Sequence, residues 1–304
     1  MNENFKVAVV IPTRNRLSEL RKLLNCLEKQ SNPIFQVVVV DSSDGLECQE
    51  VCARSTLPIE YIHTTTRSAA IQRNMGMDKL HSEVTHLSFL DDDVIVETDY
   101  LARLINDLED HEGTGISGVA LNPEAPALRD KPKGIVGNLH RIFLLDSIQD
   151  GKLLASAINI PVRNYDGPIV KVDWLIGCSV WNFGKIRTLR FESDFKGQSL
   201  GEDVIFSFRA GKTGKLLTNP KVVIAHSESP VGRPDSEEFY QMWVKNRYRL
   251  ISIMESGIRG KLAFIWANIG QSLILFYLLI RKRINSMLPI KIILSETTKL
   301  LKVK

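Results

Sequence analysis

Three consecutive aspartates, Asp91-Asp92-Asp93, stand directly after the apolar run at 86–90. Three carboxylates so close along a chain repel one another unless a cation compensates their charge. Because side chains alternate along an extended segment, Asp91 and Asp93 can face one way and offer two oxygen ligands. Such ligands suit Mg²⁺ or Mn²⁺, which keep positions open for phosphate oxygens. A solvated acidic turn ahead of a helix that begins near Thr98 is the alternative interpretation.

Hydrophobic periodicity predicts the elements that must position these aspartates. Short apolar runs of strand type alternate with helical spacing through the first third of the chain, and residues 115–121 would continue the series. The strand-like runs cover 5–11, 36–40, 59–62 and 85–90, and the clearest helical patterns cover 17–27, 68–80 and 100–108. This alternation predicts an α/β fold with a parallel sheet and right-handed crossovers.

Polar residues follow the strand-like runs at the edge where such sheets bind ligands. The segments are 12–16 after the first run, 41–45 after the second and 91–93 after the fourth. A generic turn explains Asp44-Gly45, but it explains three successive aspartates poorly. We therefore expect Asp41 and the aspartate triplet to lie on one rim of the sheet. Residues 122–170 have no clear period and are expected to form a loop insertion over this site.

The composition excludes several classes of protein. A chain of 304 residues with 44% hydrophobic and 24% charged side chains is neither disordered nor a polytopic membrane protein. Four cysteines are too few for a disulfide scaffold, so we expect reduced thiols in a cytosolic protein. The first residues do not have the pattern of a secretory signal. No nucleic-acid motif is present, and no nucleic-acid partner is expected.

The positive charge is concentrated at the C-terminus. Residues 281–304 hold seven basic side chains and one acidic one, so this tail carries +6 and residues 1–280 carry −2. The preceding run at 262–280 has no formal charge and is just long enough to cross a membrane. A transmembrane helix is disfavoured by the polar residues near its centre, Asn268, Gln271 and Ser272, and by basic residues at both ends. We expect residues 258–304 to attach to the inner face of the cell membrane as helices lying in the interface. Packing against the catalytic body or a second subunit is the alternative.

Five segments together resemble family 2 glycosyltransferases over about residues 5–250. They are VVIPTRNR at 9–16, the segment 37–45 that ends in DSSDG, RNMG at 73–76, FLDDD at 89–93 and GED at 201–203. The resemblance implies a GT-A fold, with a nucleotide-sugar-binding half at 1–121 and an acceptor-binding half with the loop insertion at 122–234. Residues 235–304 would add C-terminal helices.

The resemblance also implies an inverting sugar transfer that depends on Mn²⁺ or Mg²⁺. Carried over to this chain, Pro12, Thr13 and Arg14 would line the nucleotide pocket. Asp41 would accept a hydrogen bond from the base, which favours uracil or a similar imide and hence a UDP- or dTDP-sugar. Arg73 would lie near the diphosphate or the ribose, although a solvated helix residue is the alternative.

The remaining roles fall on carboxylates and two aromatic side chains. In the resembled family the aspartate equivalent to Asp203 is the general base, with Glu202 the second candidate here; helix capping is the alternative. Asp93 would ligate the metal, helped by His226 unless that histidine is structural. Asp91 would contact ribose or sugar hydroxyls, and Asp92 would support either role. Trp174 is a candidate acceptor platform, with a core tryptophan as the alternative.

The expected enzyme transfers a sugar to a glycan or a lipid-linked glycan, and it could form a homo-oligomer. Transfer to polyprenyl phosphate is a close alternative, because that acceptor is itself an anion. A sugar nucleotidyltransferase would need a glycine-rich triphosphate loop, which residues 12–16 lack. A binding module that kept only the fold is a third hypothesis, and the presence of both Asp93 and Asp203 argues against it.

Arg233, in the loop at 230–234, could close over the diphosphate of the donor.

Overall fold

The computed structural model describes residues 5–122, 134–195, 199–227 and 235–302. These residues fall into two compact units. The first unit lies within Met1–Leu128 and Asn164–Arg233, and the second lies within Arg129–Arg163 and Pro234–Lys304. Arg233 itself is outside the described residues.

The first unit is a mixed sheet with helices. Its strands are β1 (Val7–Thr13), β2 (Ile34–Asp41), β3 (Ile59–His63), β4 (His86–Phe89), β5 (Val94–Ile95), β6 (Gly115–Leu121), β7 (Val170–Val172), β8 (Ser179–Asn182) and β9 (Leu216–His226). Its helices are α1 (Leu17–Leu27), α2 (Glu47–Arg54), α3 (Ala69–Asp78), α4 (Tyr100–Asp110), α6 (Phe183–Ile186) and α7 (Glu202–Ala210), while α5 belongs to the second unit. The predicted α/β class is confirmed.

The strand order is β3-β2-β1-β4-β8-β6-β9-β5, and β7 pairs with β9 beside that path. The first four strands in this order are parallel, as the alternation of strand and helix predicts. The run at 115–121 continues the sheet as β6, as expected, and the antiparallel strand β8 lies between β4 and β6. Hydrophobic periodicity indicates which residues form a strand. It does not indicate which strands pair with each other, because pairing depends on contacts between residues distant in sequence.

The core forms where the periodicity places it. Every residue of β1 is buried, which is typical of a strand covered on both faces. On α1 the buried leucines are Leu20, Leu23, Leu24 and Leu27, spaced i, i+3, i+4 and i+7 along one face. Each fully buried leucine contributes about 1.5–3 kcal/mol. This packing fixes the carboxyl ends of β1 and β2, where Thr13 and Asp41 are register partners.

The described residues of the second unit form four helices: α5 (Gly134–Ile142), α8 (Ser236–Ile253), α9 (Gly257–Ile280) and α10 (Leu288–Lys302). By length and composition alone, α9 could cross a membrane. Residues 134–163 group with the C-terminal helices, whereas 164–195 and 199–227 group with the sheet. The compact units therefore divide the chain differently from the predicted halves at 1–121 and 122–234 and the tail at 235–304, which remain functional predictions.

Candidate active site

Side-chain hydrogen bonds hold the rim of the sheet at the ends of β1 and β2. Gln72 on α3 donates from Nε2 to the backbone oxygens of Thr13 (2.9 Å) and Val40 (2.7 Å), so one amide joins both strands. Beyond the strands, Asn15 Nδ2 donates to Asp44 Oδ2 (2.9 Å), and the Asp44 backbone N–H donates back to Asn15 Oδ1 (3.0 Å). The two loops that follow the strands are therefore linked to each other, which stabilises the shape of the rim.

Asp92 turns toward β1 and α1. Thr13 Oγ1 donates to Asp92 Oδ2 (2.7 Å), and Arg16 Nη1 donates to Asp92 Oδ1 (2.9 Å) and to Asp93 Oδ2 (3.2 Å). Burial raises the pKa of Asp92 to about 7, although the positive charge of Arg16 opposes this change. Asp92 thus has protein partners of its own, and Arg16 supplies part of the positive charge that adjacent aspartates need.

Asp91 and Asp93 meet His226, which comes from the far end of the first unit's sequence. Strand β5 pairs with β9 so that Val94 lies opposite His226, and this register places the imidazole beside Asp93. His226 Nε2 lies 2.9 Å from Asp93 Oδ1. One ligand atom from each of Asp91, Asp93 and His226 can be chosen so that all three lie within 4.8 Å of one another. The expected pairing of Asp93 with His226 is seen here, and Asp91 joins them.

The donor set of this Asp91–Asp93–His226 cluster fits a divalent cation. In an octahedron with metal–ligand distances of about 2.1 Å, adjacent ligand atoms are about 3.0 Å apart and opposite ones about 4.2 Å apart. The 2.9 Å separation of His226 Nε2 and Asp93 Oδ1 matches an adjacent pair. Carboxylate oxygens suit Mg²⁺ and Mn²⁺, and the imidazole nitrogen favours Mn²⁺ over Mg²⁺.

Arg73 joins the aspartate segment to α7. Its side chain is 3% exposed, and it forms ion pairs with Asp91 (2.5 Å) and with Glu202. Burial lowers the pKa of Arg73, but the charges of Glu202 and Asp91 outweigh burial and raise the pKa above its usual value. Gly177 borders this pair: a Cβ at that position would lie 3.2 Å from Arg73 Nη2 and 3.5 Å from Asp91 Oδ2. The Arg73 guanidinium is therefore a buried permanent charge in this site.

We expect Arg73→Met to lower the free energy of unfolding by about 3–5 kcal/mol, because it leaves a buried carboxylate without its partner. Equilibrium denaturation in urea measures this loss. The double variant Arg73→Met/Glu202→Met should recover most of it, since apolar groups can replace a buried ion pair at little cost. An equal loss in the double variant would show that the charge of Glu202 is not the cause.

Glu202 and Asp203 occupy the first turn of α7. The helix begins after Gly201, whose φ of 86° lies in the left-handed region that favours glycine. Burial raises the pKa of Asp203 to about 6, and it raises that of Glu202 to about 8 against the opposing charge of Arg73. Among the described residues, Arg73 forms an ion pair with Glu202, whereas Asp203 accepts a hydrogen bond from the Val204 backbone N–H (2.8 Å). Asp203 is thus the better placed of the two to accept a proton.

Asp41 is completely buried and already has protein donors. The Ser43 backbone N–H donates to Asp41 Oδ1 (2.7 Å), and the Tyr61 hydroxyl donates to Asp41 Oδ2 (2.8 Å). These contacts order the turn that follows β2. The hydrogen bond that Asp41 was expected to accept from a nucleotide base stays a prediction: Oδ1 also accepts from the Ser43 hydroxyl, and the residue is completely buried.

The remaining predicted residues have less defined surroundings. Pro12 is buried within β1, and Arg14 follows that strand half-buried. Arg14 Nε is buried and has no hydrogen-bond partner among the described residues, which leaves a donor beside the rim. Trp174 is half-buried in the segment after β7, and its acceptor role stays a prediction. Arg233 lies outside the described residues, so its expected contact does too.

Sequence reasoning did not assign roles to three residues that organise this site. Arg16 pairs with Asp92 and Asp93, Gln72 joins two strand ends, and Tyr61 donates to Asp41. Arg16 is the last residue of segment 9–16, which is one of the five segments that carry the resemblance. Its place there could have identified it as a site residue. The local sequence does not distinguish Gln72 on α3 or Tyr61 on β3, because their hydrogen-bond partners lie on β1 and β2.

Comparison with known proteins relates the chain to a defined family and fold. The profile of Glycosyl transferase family 2 matches residues 8–161. No curated protein matches the chain in sequence.

Solved structures at low identity share the fold. TarS of S. aureus is 19% identical with a TM-score of 0.52, covering 79% of this chain and 39% of TarS. GalNAc-T7 with UDP, GalNAc and Mn²⁺ is 15% identical with a TM-score of 0.59, covering 81% of this chain and 48% of that one. The mannosyltransferase PcManGT of Pyrobaculum calidifontis, with GDP-Man and Mn²⁺, is 14% identical with a TM-score of 0.55, covering 99% of this chain and 82% of that one. The chain therefore spans less than half the length of TarS and of GalNAc-T7.

Proposed function

The chain belongs to glycosyl transferase family 2 and is a glycosyltransferase with the GT-A fold, and on that premise we propose that it moves a sugar, with inversion, from a UDP- or dTDP-sugar to a glycan or lipid-linked glycan. The observation that carries the proposal is the convergence of the Asp91–Asp93–His226 cluster and the Arg73–Glu202 pair at one sheet rim. The structures of TarS with UDP-GlcNAc and of GalNAc-T7 with UDP support a uridine donor, and Asp41 would provide its base contact.

The Asp91–Asp93–His226 cluster would hold Mn²⁺ or Mg²⁺, which would supply positive charge for the diphosphate as it leaves. Arg73 and Arg14 lie near the same rim, and we assign them to stabilise and orient the diphosphate oxygens. Arg73 remains charged throughout the working pH range, because its neighbours raise its pKa. Fixed positive charge that is already in place lowers the cost of the charge developing on the leaving group.

Asp203 would accept the proton of the acceptor hydroxyl. The hydroxyl oxygen attacks the anomeric carbon, the bond from that carbon to the diphosphate oxygen breaks, and the electron pair leaves with the nucleoside diphosphate. The raised pKa of Asp203, about 6, suits this role, because the carboxylate is ionised at neutral pH yet basic enough to take a proton. Inversion can be tested by reading the anomeric configuration of the product by NMR.

Polyprenyl phosphate is the second candidate acceptor. Its phosphate oxygen is already ionised, so attack on the anomeric carbon releases no proton that Asp203 must take. The mutational test of Asp203 therefore distinguishes the two acceptors. A sugar nucleotidyltransferase has less support, since the match to the family profile begins at residue 8 and includes the glycine-poor segment 12–16.

A thermal-shift screen of nucleoside diphosphates and their sugars tests the donor. We expect UDP and UDP-sugars to raise the melting temperature by about 5 °C or more in Mn²⁺ at 100-fold excess over Kd, because ligands that bind the folded state stabilise it by mass action. The shift should fall when the metal is chelated. The largest shift with a thymidine ligand would select the dTDP-sugar, the largest shift with a guanosine ligand would reassign the base, and no shift with any nucleotide would contradict the proposal.

A further inference from the structure

Helix α9 of the second unit presents a continuous apolar face to solvent. Its exposed apolar residues are Ile258, Leu262, Trp266, Ile269, Leu273, Phe276, Tyr277 and Ile280, between 41% and 69% exposed. At about 100° per residue these eight side chains fall within an arc of about 100°, and the stripe is about 33 Å long. The buried residues of α9, which include Phe264 and Ala267, lie on the opposite side.

Helix α5 extends this face. Its exposed apolar residues are Ile135, Val136, Leu139 and Ile142, which again share one side of the helix. The two helices meet at Trp266, whose indole N–H donates to the Ile142 backbone oxygen (2.7 Å) and whose ring lies 4.9 Å from that of Phe143. Since Trp266 and Ile142 are both partly exposed, the two apolar stripes join there into one α5–α9 face.

Basic side chains flank this face. Arg259 and Lys261 lie at its N-terminal end, and Arg281, Lys282 and Arg283 follow it, all exposed. Between residues 257 and 295 there are six basic side chains and no acidic one. The aromatic residues Trp266 and Tyr277 are of the type enriched at membrane–water interfaces. We propose that the α5–α9 face binds the surface of an anionic lipid bilayer, such as the cytoplasmic leaflet of the cell membrane.

The charges disfavour a second copy of the chain as the occupant. A parallel pair of α9 helices would bring Arg281, Lys282 and Arg283 against the same residues of the partner. An antiparallel pair would bring them against Arg259 and Lys261. Both arrangements place like charges together without an acidic residue between them, whereas anionic lipid headgroups attract both clusters.

The buried side of α9 disfavours a transmembrane span. Asn268 is buried, donates from Nδ2 to Thr297 Oγ1 on α10 (2.8 Å), and accepts from Arg247 Nη1 on α8 (2.8 Å). Arg247 Nη2 also donates to the Ser156 backbone oxygen (2.8 Å), and among the described residues Arg247 has no carboxylate partner. A spanning α9 would either lose these contacts or carry this guanidinium into hydrocarbon, which is costly. A helix lying in the interface keeps them.

Co-sedimentation of the full chain with vesicles tests this proposal. We expect binding to phosphatidylcholine vesicles containing 30% phosphatidylglycerol, weaker binding in high salt, and little binding to pure phosphatidylcholine. Leu273→Glu on α9 and Leu139→Glu on α5 should each weaken binding about tenfold or more. Replacing Arg281, Lys282 and Arg283 with Gln should weaken it about a hundredfold, at about fivefold per charge.

Leu46→Glu is the matched control, because Leu46 lies in the first unit at 55% exposure and Leu273 is 54% exposed. This variant should bind vesicles like the unmodified chain. If the Leu139→Glu variant bound vesicles as tightly as the unmodified chain, α5 would not take part in membrane binding. Resistance to alkaline carbonate extraction would show a span, and a dimer in solution that Leu273→Glu dissociates would show a second copy; either result would overturn the proposal. Donor-induced thermal shifts need no membrane, so failure here is distinguishable from failure of the proposed sugar transfer.

Discussion

Asp203→Asn should reduce sugar transfer by about 10²- to 10⁴-fold, the usual contribution of a general base. The amide has nearly the size of the carboxylate and can still accept the hydrogen bond from the Val204 backbone N–H. Donor binding should therefore persist, and the nucleotide-dependent thermal shift should stay within error of the unmodified enzyme. Initial rates with saturating donor, measured beside that thermal shift, separate loss of the proton acceptor from loss of the fold.

Glu202→Gln is the comparison variant. Glu202 lies one residue earlier in the same helix turn, but its carboxylate pairs with the buried Arg73. We expect this variant to lose stability as well as activity, because it leaves the Arg73 guanidinium with Asp91 as its ion-pair partner among the described residues. An unchanged transfer rate for Asp203→Asn would dismiss Asp203 as the base and favour an acceptor that is already an anion.

The pH dependence gives an independent check on Asp203. Burial raises its pKa to about 6, and the base must be ionised to accept a proton. The kcat/KM for transfer should therefore fall as the pH decreases through about 6, and the acid limb should report the free enzyme. This limb should be absent from the residual activity of Asp203→Asn. A limb of the same pKa in the variant would assign it to another group.

The rim of the sheet was predictable because its residues follow strands that periodicity identifies. The run at 85–90 becomes β4, and Asp91 and Asp93 come directly after it. Asp93 and His226 are 133 residues apart and were matched through the resemblance, not through local spacing, whereas the ion pair of Arg73 with Glu202, 129 residues apart, was not predicted. The register of β5 on β9 brings Asp93 and His226 together, and a register between strands distant in sequence is a property of the tertiary fold.

Helix α5 shows where the reasoning failed for a local cause. Residues 122–170, which include this helix, have no clear hydrophobic period and were therefore expected to form a loop insertion over the site. The structure instead forms a helix in which Gly137 is buried and Ile135, Leu139 and Ile142 share the exposed side. The spacing of those three residues, i, i+4 and i+7, was the signal for a helix. Hydrophobic periodicity normally identifies the buried side of a helix. In α5 the apolar side is the exposed one, so the pattern alone could not show which side is buried.

Asp93→Asn should weaken Mn²⁺ binding by more than the roughly 10- to 100-fold typical of removing an outer-shell partner, and transfer should fall with it. Asp93 offers one of the three ligand atoms that lie within 4.8 Å of one another, and its Oδ1 is the one beside His226 Nε2. An amide lacks the charge that a divalent cation prefers. Titration of free Mn²⁺ by electron paramagnetic resonance measures the affinity without any turnover.

Asp92→Asn distinguishes a metal site from a network of ion pairs. Asp92 is adjacent in sequence, but its oxygens accept from Thr13 and Arg16 and it is outside the Asp91–Asp93–His226 cluster. If the cluster binds metal, Asp93→Asn should impair Mn²⁺ binding far more than Asp92→Asn does. If Asp92 and Asp93 serve only to neutralise Arg16, the two variants should instead lose similar stability, and neither should change Mn²⁺ affinity. That second outcome would remove the metal from the mechanism and leave Arg73 and Arg14 as the charges that face the leaving diphosphate.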